Sequence, residues 1–317
     1  VALFCTDTFL ETHGDELAAV APDLEVVALR RGEDVSPDDV DRITMAFFSN
    51  DVWPERAAPF MRVALDAQNL RWFHSMSAGV DSPVFSMFLD RGVRLTTSSG
   101  ASAPTIAGTV LLYLLALSRD MPSWFRAQAA HEWNAHRFRD LPGRRLVVVG
   151  YGPIGQEVVR LAGAFGMDPV IVRRAARGDE PVPVHPLDEL VGAVADADAV
   201  VVALPLTDET RGIVSSDVIA AMPPHAVFVN VGRGELVDQA ALTDALRAGR
   251  LAGAGLDVFT TEPLPTDDPL WDLPNVIISP HNSATSDHTA DRVVEIFIDN
   301  LGRFVRGEEL RNEVSRS

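Results

Sequence analysis

Short apolar runs alternate with stretches of helical period, and this alternation occurs twice along the chain. In the first series, residues 1–5, 24–28, 43–48, 71–74 and 93–96 are apolar runs too short for helices, and helical spacing appears between them at 15–20 and 57–67. The second series opens with LVVV at 146–149 and continues through 169–172, 199–204, 227–231, 252–258 and 276–279, with helical stretches at 215–221 and 240–248. Runs that are apolar throughout mark strands buried on both faces, and their alternation with helices predicts parallel sheets covered on both sides. The pattern therefore predicts an α/β protein with two doubly wound parallel-sheet domains. Residues 103–117 are also apolar, but they contain Pro104, Thr105 and Thr109 and fall short of the ~20 residues that cross a bilayer, so they predict a buried helix. The stretch 121–145, with Trp124, Phe125, Trp133 and Phe138, matches neither period; it suits a subunit interface or a capping layer over the sheet.

The strand at 146–149 runs directly into GYGPIG at 150–155, the G-x-G-x-x-G spacing, followed by Val158, Val159, Leu161, Ala162 and Phe165 at helical spacing. Glycine at these positions allows a tight turn, close approach of backbone to a pyrophosphate, and close packing of helix on strand. Phosphates would meet free N–H groups at the helix N-terminus. Strand, glycine turn, helix and strand make one βαβ arm of a dinucleotide site, with Gly150, Gly152, Pro153, Ile154 and Gly155 as cofactor-binding candidates. NAD sites carry an acid about 20 positions past the glycines to accept from the ribose 2′-OH. Arg173 and Arg174 stand there instead, and paired guanidiniums offer forked donors to a 2′-phosphate. NADP(H) is the expected cofactor and NAD(H) the alternative; arginines that merely end a strand at the surface are the plainer reading.

The last periodic stretch, 287–305, places Val293, Val294, Ile296, Phe297, Leu301 and Phe304 at spacings of three and four after the dinucleotide series is complete. It is expected to pack back on the first series. The expected organisation is a substrate domain at 1–98, a dinucleotide-binding domain at 99–285 inserted into it, and a returning helix of the substrate domain at 286–317.

Composition narrows the function. Among 317 residues, 27 basic against 45 acidic side chains give a net charge of −18, which disfavours nucleic acid and anionic membranes as partners. All the basic residues are arginine, so Schiff-base, pyridoxal-phosphate and Walker-lysine mechanisms are excluded for these residues. The single cysteine, Cys5, excludes an internal disulfide and a thiolate metal cluster and reads as core filler. With no basic-then-apolar leader in view, a cytoplasmic protein is expected. His131-Glu132 resembles the start of a zinc motif, but His136 follows five residues after His131, turned ~140° away on a helix, and no metal site is expected.

Three residues fit a definite chemistry. Arg233, Glu262 and His281 each follow the C-terminal end of a predicted strand in the second series, the edge at which open α/β sheets bind ligands. Arginine can hold a carboxylate and polarise the neighbouring carbonyl. Histidine can protonate an alkoxide, and a carboxylate beside it favours its charged form. Each alone has a bland reading as loop arginine, helix-capping glutamate or strand-end histidine; their shared order and placement point to hydride transfer to a 2-oxo acid.

At these residues the chain resembles the NAD(P)-dependent D-2-hydroxyacid dehydrogenases, across about 77–285 and most densely in LPLTDETRG, VNVGRGELVD, LAGAGLDVFTTEPLP and SPHNSAT. The resemblance implies a Rossmann-type domain inserted into a flavodoxin-like substrate domain. It implies Arg233 for substrate binding, His281 as acid/base and Glu262 as its partner. It also implies that Asp257 and the Val231 carbonyl hold the nicotinamide amide, and that Leu204, Pro205 and Thr210 border the adenosine side. Ser77, Ala78 and Gly79, in the SAGVD motif at 77–81, are implied as main-chain ligands of the substrate carboxylate; read alone the motif is a turn. Gly108 stands where many relatives have glutamate. The expected activity is that of a glyoxylate/hydroxypyruvate reductase-like enzyme, acting as a homodimer on a small 2-oxo or 2-hydroxy acid. The alternatives are a one-carbon or phosphorus anion dehydrogenase of the same family and a dinucleotide-sensing binding protein.

Overall fold

The computed structural model describes residues 1–80 and 82–314; Asp81, the last residue of the SAGVD motif, lies outside the described residues. The chain divides into two compact units, Val1–Ala101 with Ser286–Ser317, and Ser102–Thr285.

In the first unit, β1 (Ala2–Thr6), β2 (Glu25–Leu29), β3 (Met45–Phe48), β4 (Trp72–Ser75) and β5 (Arg94–Thr97) form a parallel sheet of order β2-β1-β3-β4-β5. This is the flavodoxin-like order. Its helices are α1 (Asp7–Val20), α2 (Pro37–Arg42), α3 (Ala57–Asp66) and α4 (Pro83–Asp90). The helix expected at 15–20 begins at Asp7, where the Thr6 hydroxyl accepts from the Phe9 N–H at 3.0 Å. A kink at His13 (φ −121°) breaks its period and hides the first half from pattern reading. Both α2 and α4 escaped that reading because they are short, and each begins with proline after serine.

Alternation along β1 sends Phe4 to one face, where Phe60 stacks on it, and Leu3 and Cys5 to the other. Burial, with Asp51 and Asp7 adding repulsion, pushes the Cys5 thiol well above the usual thiol range. The returning helix Thr289–Arg306 covers that second face with Val293, Phe297 and Leu301, and Phe297 lies flat on Phe47 with ring centres 4.0 Å apart.

The second unit opens with α5 (Ala103–Ser118) and α6 (Met121–Ala130), followed by irregular chain to 144. It continues with β6 (Arg145–Val149), α7 (Pro153–Ala164), β7 (Asp168–Val172), β8 (Val184–His185), α8 (Leu190–Val194), β9 (Ala199–Val202), α9 (Ser216–Ala221), β10 (Val227–Asn230), α10 (Gln239–Arg247), β11 (Gly253–Leu256) and β12 (Val276–Ile278). The sheet is parallel with order β12-β11-β10-β9-β6-β7-β8. Counted from β6, this is the Rossmann order 3-2-1-4-5-6 with one strand added, and the direction of winding reverses between β6 and β9. α5 lies so close to the sheet that a Cβ on Gly255 would sit 2.4 Å from the Tyr113 ring. Among the described residues no helix is long and apolar enough to cross a membrane.

Candidate active site

The three glycines of the turn after β6 have three separable roles. Gly150 adopts φ +105°, and a Cβ there would lie 2.7 Å from the Ala203 carbonyl oxygen. A Cβ on Gly155 would lie 2.1 Å from the Gly150 carbonyl oxygen, so only glycine lets α7 sit this close to the turn. Gly152 is different: a Cβ there meets nothing within 4 Å. It also leaves the N-terminus of α7 without a side-chain cap, and Pro153 occupies the first turn. The next amides, of Ile154 and Gly155, belong to the set that no helix satisfies internally. Open space beside Gly152 and uncapped N–H groups fit a dinucleotide pyrophosphate.

At the end of β7, Arg173 and Arg174 point to different partners. Arg173 Nη1 donates to Glu180 Oε1 at 2.6 Å, and its guanidinium carbon lies 5.8 Å from the centre of the Tyr151 ring in the glycine turn. Glu180 also accepts from the Arg177 and Gly178 N–H groups at 2.9 Å, and these donors, led by the Arg177 amide, hold its carboxyl below the usual range. An acid thus does stand beside the strand end, brought there by a loop that folds back rather than by position along the chain. Arg174 is exposed and pairs with Glu209 at 2.5 Å.

The remaining loops lock together through close backbone approaches. Leu204, after β9, lies between the glycine turn and the loop after β10: its N is 3.0 Å from a Cβ built on Gly150, and its carbonyl oxygen 2.9 Å from one built on Gly232. Thr210 is buried, and its hydroxyl donates to the Pro205 carbonyl at 2.8 Å and accepts from the Thr207 N–H, so it shapes its own loop. In the loop after β10, the Asn230 side chain accepts from Gly232 N–H at 3.0 Å and donates to the Arg233 carbonyl at 2.9 Å. No hydrogen bond reaches the Val231 carbonyl among the described residues. A Cβ on Gly234 would fall 1.9 Å from the Phe259 carbonyl carbon, so the Arg233 loop rests directly on the loop that carries Glu262.

Glu262 and His281 form the charged centre. One Glu262 oxygen accepts from the Phe259 N–H at 3.0 Å and the other meets His281 Nδ1 at 2.7 Å. A carboxylate accepts only, so Nδ1 carries the hydrogen. Nε2 has no partner among the described residues. His281 sits at φ +49°, a left-handed conformation, with its N–H donating to the Asp257 carbonyl at 2.9 Å. Asp257 supports this strained turn. It is fully buried, and its carboxylate accepts from the Ser279 and Ser283 hydroxyls and from the N–H groups of Asn282 (3.0 Å) and Ser283 (3.2 Å). Tyr113 of α5 donates to Ser279 at 2.5 Å and extends the support. The Asp257 oxygens are thereby turned toward their own chain. Beside the pair lies a cavity of about 410 Å³ whose walls include Phe259, Leu264, Trp271 and Ile278.

Ser77, Ala78 and Gly79 belong to the first unit, where they follow β4; they are described apart from the loops above. Sequence reasoning missed Asn230, Ser279, Ser283, Tyr113 and Glu180. The hydroxyl and amide residues flanking Arg233 and His281 were the available signal.

The chain is similar to known proteins along most of its length. The family description "D-isomer specific 2-hydroxyacid dehydrogenase, NAD binding domain" matches residues 111–283. The chain is 32% identical over 302 residues to the glyoxylate reductase of Korarchaeum cryptofilum, covering 85% of this chain and 90% of that one. It is 31% identical over 308 residues to the D-3-phosphoglycerate dehydrogenase of Methanocaldococcus jannaschii, covering 95% of this chain but only 53%, about half, of that relative's length. Among solved structures, the D-isomer specific 2-hydroxyacid dehydrogenase of Xanthobacter autotrophicus Py2, in complex with NADPH and MES, superposes with a TM-score of 0.80 at 31% identity, over 99% of this chain and 98% of that one. With the matched region spanning more than half of the chain and identities above 30% along most of it, the chain belongs to the D-isomer specific 2-hydroxyacid dehydrogenase family.

Proposed function

We propose that this protein reduces a small 2-oxo acid to the D-2-hydroxy acid with NADP(H), as a glyoxylate/hydroxypyruvate reductase-like enzyme. The observation that carries the reading is the Glu262–His281 pair at 2.7 Å, whose Glu262 loop is braced against that of Arg233 through Gly234. A bound reduced nicotinamide supplies the hydride. The open turn at Gly152 and the uncapped amides of α7 hold the pyrophosphate, and the Val231 carbonyl offers an acceptor to the carboxamide. Arg233 holds the substrate carboxylate and polarises the adjacent carbonyl. His281 Nε2, directed away from Glu262, donates the proton that the carbonyl oxygen gains, and Glu262 balances the charge the ring carries before that step. The imidazole then regains a proton from water.

In the first unit, taken by itself, the Ala78 and Gly79 N–H groups have no acceptor among the described residues and are donors suited to a carboxylate. Preference for NADP(H) over NAD(H) rests on Arg173 and Arg174, and the Xanthobacter relative solved with NADPH supports it. A homodimer is proposed from the aromatic surface at Trp124, Phe125, Trp133 and Phe138, all exposed and Trp133 98% so. The single buried Cys5 suits a reducing, cytoplasmic compartment.

The test is oxidation of NADPH, then of NADH, over glyoxylate, hydroxypyruvate, pyruvate and bulkier 2-oxo acids. His281→Ala is expected to lower kcat about 10²- to 10⁴-fold with little change in NADPH affinity. Near-normal turnover in that variant would place the proton donor elsewhere. Tight NADPH binding without turnover of any 2-oxo acid would favour a dinucleotide-sensing role.

A further inference from the structure

The first unit contains a buried polar chain that ends at the turn after β4. Trp72 Nε1 donates to Thr96 Oγ1 at 2.8 Å, and Thr96 Oγ1 lies 2.6 Å from His74 Nδ1. The opposite ring nitrogen, His74 Nε2, lies 3.0 Å from Ser98 Oγ, which itself donates to the Ser75 carbonyl at 3.1 Å. These contacts fix the direction of every hydrogen. The Ser98 hydrogen is taken by Ser75, so Ser98 Oγ must accept from His74 Nε2–H. Nδ1 is then an acceptor and receives the Thr96 hydroxyl hydrogen, while Thr96 accepts from the indole. His74, Trp72, Thr96 and Ser98 are all buried, and burial lowers the His74 pKa to about 3, so the ring is neutral with both nitrogens occupied.

From Ser98 the chain passes into the turn. The Ser98 N–H is shared between the carbonyls of Ser75 (3.0 Å) and Ser77 (3.2 Å). Ser75 Oγ accepts from the Ser77 N–H at 3.2 Å and lies 2.8 Å from Ser77 Oγ, which donates to the Gly79 carbonyl at 2.9 Å. The Ser75, Ser77 and Gly79 carbonyls and the Ser75 and Ser77 hydroxyls are thus tied within this network, and the Ala78 and Gly79 N–H groups remain without an acceptor among the described residues. Aligned donors that need no reorganisation bind an anion more strongly than donors that must first be ordered.

We infer that His74 and Ser98 are positioning residues, which through Ser75 and Ser77 hold the 77–79 turn in the shape that presents its amides to a substrate carboxylate. This rests on the proposed reduction of a 2-oxo acid. Neither residue touches substrate; each acts through the turn.

Ser98→Ala removes the relay hydroxyl and keeps the main-chain ties. Glyoxylate reduction with NADPH should show a KM for glyoxylate raised about fivefold, the effect of one neutral hydrogen bond, with the KM for NADPH unchanged. Amide hydrogen exchange read by mass spectrometry should quicken at Met76 and Ser77, whose N–H groups are bonded to the Phe48 carbonyl and to Ser75 Oγ, and stay unchanged over 150–155. His74→Gln, whose amide keeps an N–H for Ser98, should lie closer to the wild type than His74→Phe, which fills the space without a donor. If His74→Phe fails to fold, Ser98→Ala and His74→Gln carry the comparison. Unchanged exchange in Ser98→Ala, or faster exchange with an unchanged glyoxylate KM, would overturn the positioning role alone. Absence of turnover in the wild type on every 2-oxo acid tested would overturn the functional reading and this inference with it.

Discussion

Single residues here carry effects that their type alone does not announce. His74 is one: its ordinary pKa near 6.5 falls to about 3 in the folded protein through burial. Below pH 6.5 the unfolded chain takes up a proton that the native ring refuses. Its contribution to stability is therefore whole above that pH and is lost as pH falls toward 3, with a slope of about 1.4 kcal/mol per pH unit for one proton. His74→Gln, which cannot titrate, should show a shallower loss of urea-unfolding stability than the wild type between about pH 6 and pH 4. Parallel curves would show that the ring protonates in the native state without penalty. Arg174 offers a second test. Its pair with Glu209 is solvent-exposed and therefore weak, leaving the guanidinium available to a 2′-phosphate. Arg174→Ala should lower kcat/KM for NADPH about tenfold or more and leave that for NADH nearly unchanged; an equal effect on both would remove Arg174 from cofactor choice. Both arginines were legible as a cationic strand end. That Arg173 is held by Glu180 was not, because the pairing depends on a loop folding back over residues 174–182.

At the scale of elements, the loop glycines separate folding from binding. A methyl on Gly155 would meet the Gly150 carbonyl at 2.1 Å, and one on Gly234 would meet Phe259 at 1.9 Å, whereas one on Gly152 meets nothing. Gly155→Ala and Gly234→Ala are expected to lose roughly 3 kcal/mol or more of stability, since backbone and not a side-chain tip must yield. Gly152→Ala should keep the wild-type Tm but weaken NADPH binding, read by quenching or transfer of tryptophan fluorescence. Wild-type NADPH affinity in Gly152→Ala would mean that no phosphate approaches this turn. Strands were the most legible elements, because a run of Val or Phe buried on both faces has few other uses. The edge strand β8, with two residues, and the short helices α2, α4 and α8, with six, eight and five, repeat their period too few times to stand out. α1 has enough residues, but its kink at His13 divides it.

For the whole molecule, the prediction concerns assembly. A chain with net charge −18 repels its own copies at long range, so association requires an apolar contact that overcomes this repulsion. The exposed Phe125 and Trp133 supply such a surface. Light scattering after gel filtration should give twice the chain mass, and Trp133→Ser combined with Phe125→Ser should shift it toward the monomer. A monomeric wild type would dismiss the dimer, and an unaltered dimer in the double variant would move the interface elsewhere. The interrupted first unit is also a whole-chain property: Phe297, near the C-terminus, stacks on Phe47. Its amphipathic stripe was visible in the sequence, whereas the face it covers was not.

The sequence by itself determined the α/β class, the two series of parallel strands, the glycine turn and the residue types of the proposed site, because these follow from local period and from the steric limits and chemistry of single residues. Only the tertiary structure decided which hydrogen bonds those residues make. It turned the Asp257 carboxylate toward Ser279, Asn282 and Ser283, set Glu180 on Arg173, and joined His74 to the 77–79 turn through Ser98. The physical reason is that periodicity reports which side of an element is buried. A hydrogen bond instead needs two groups within about 3 Å at the right angle, and for residues distant along the chain that condition is met only once the sheets and their loops have packed.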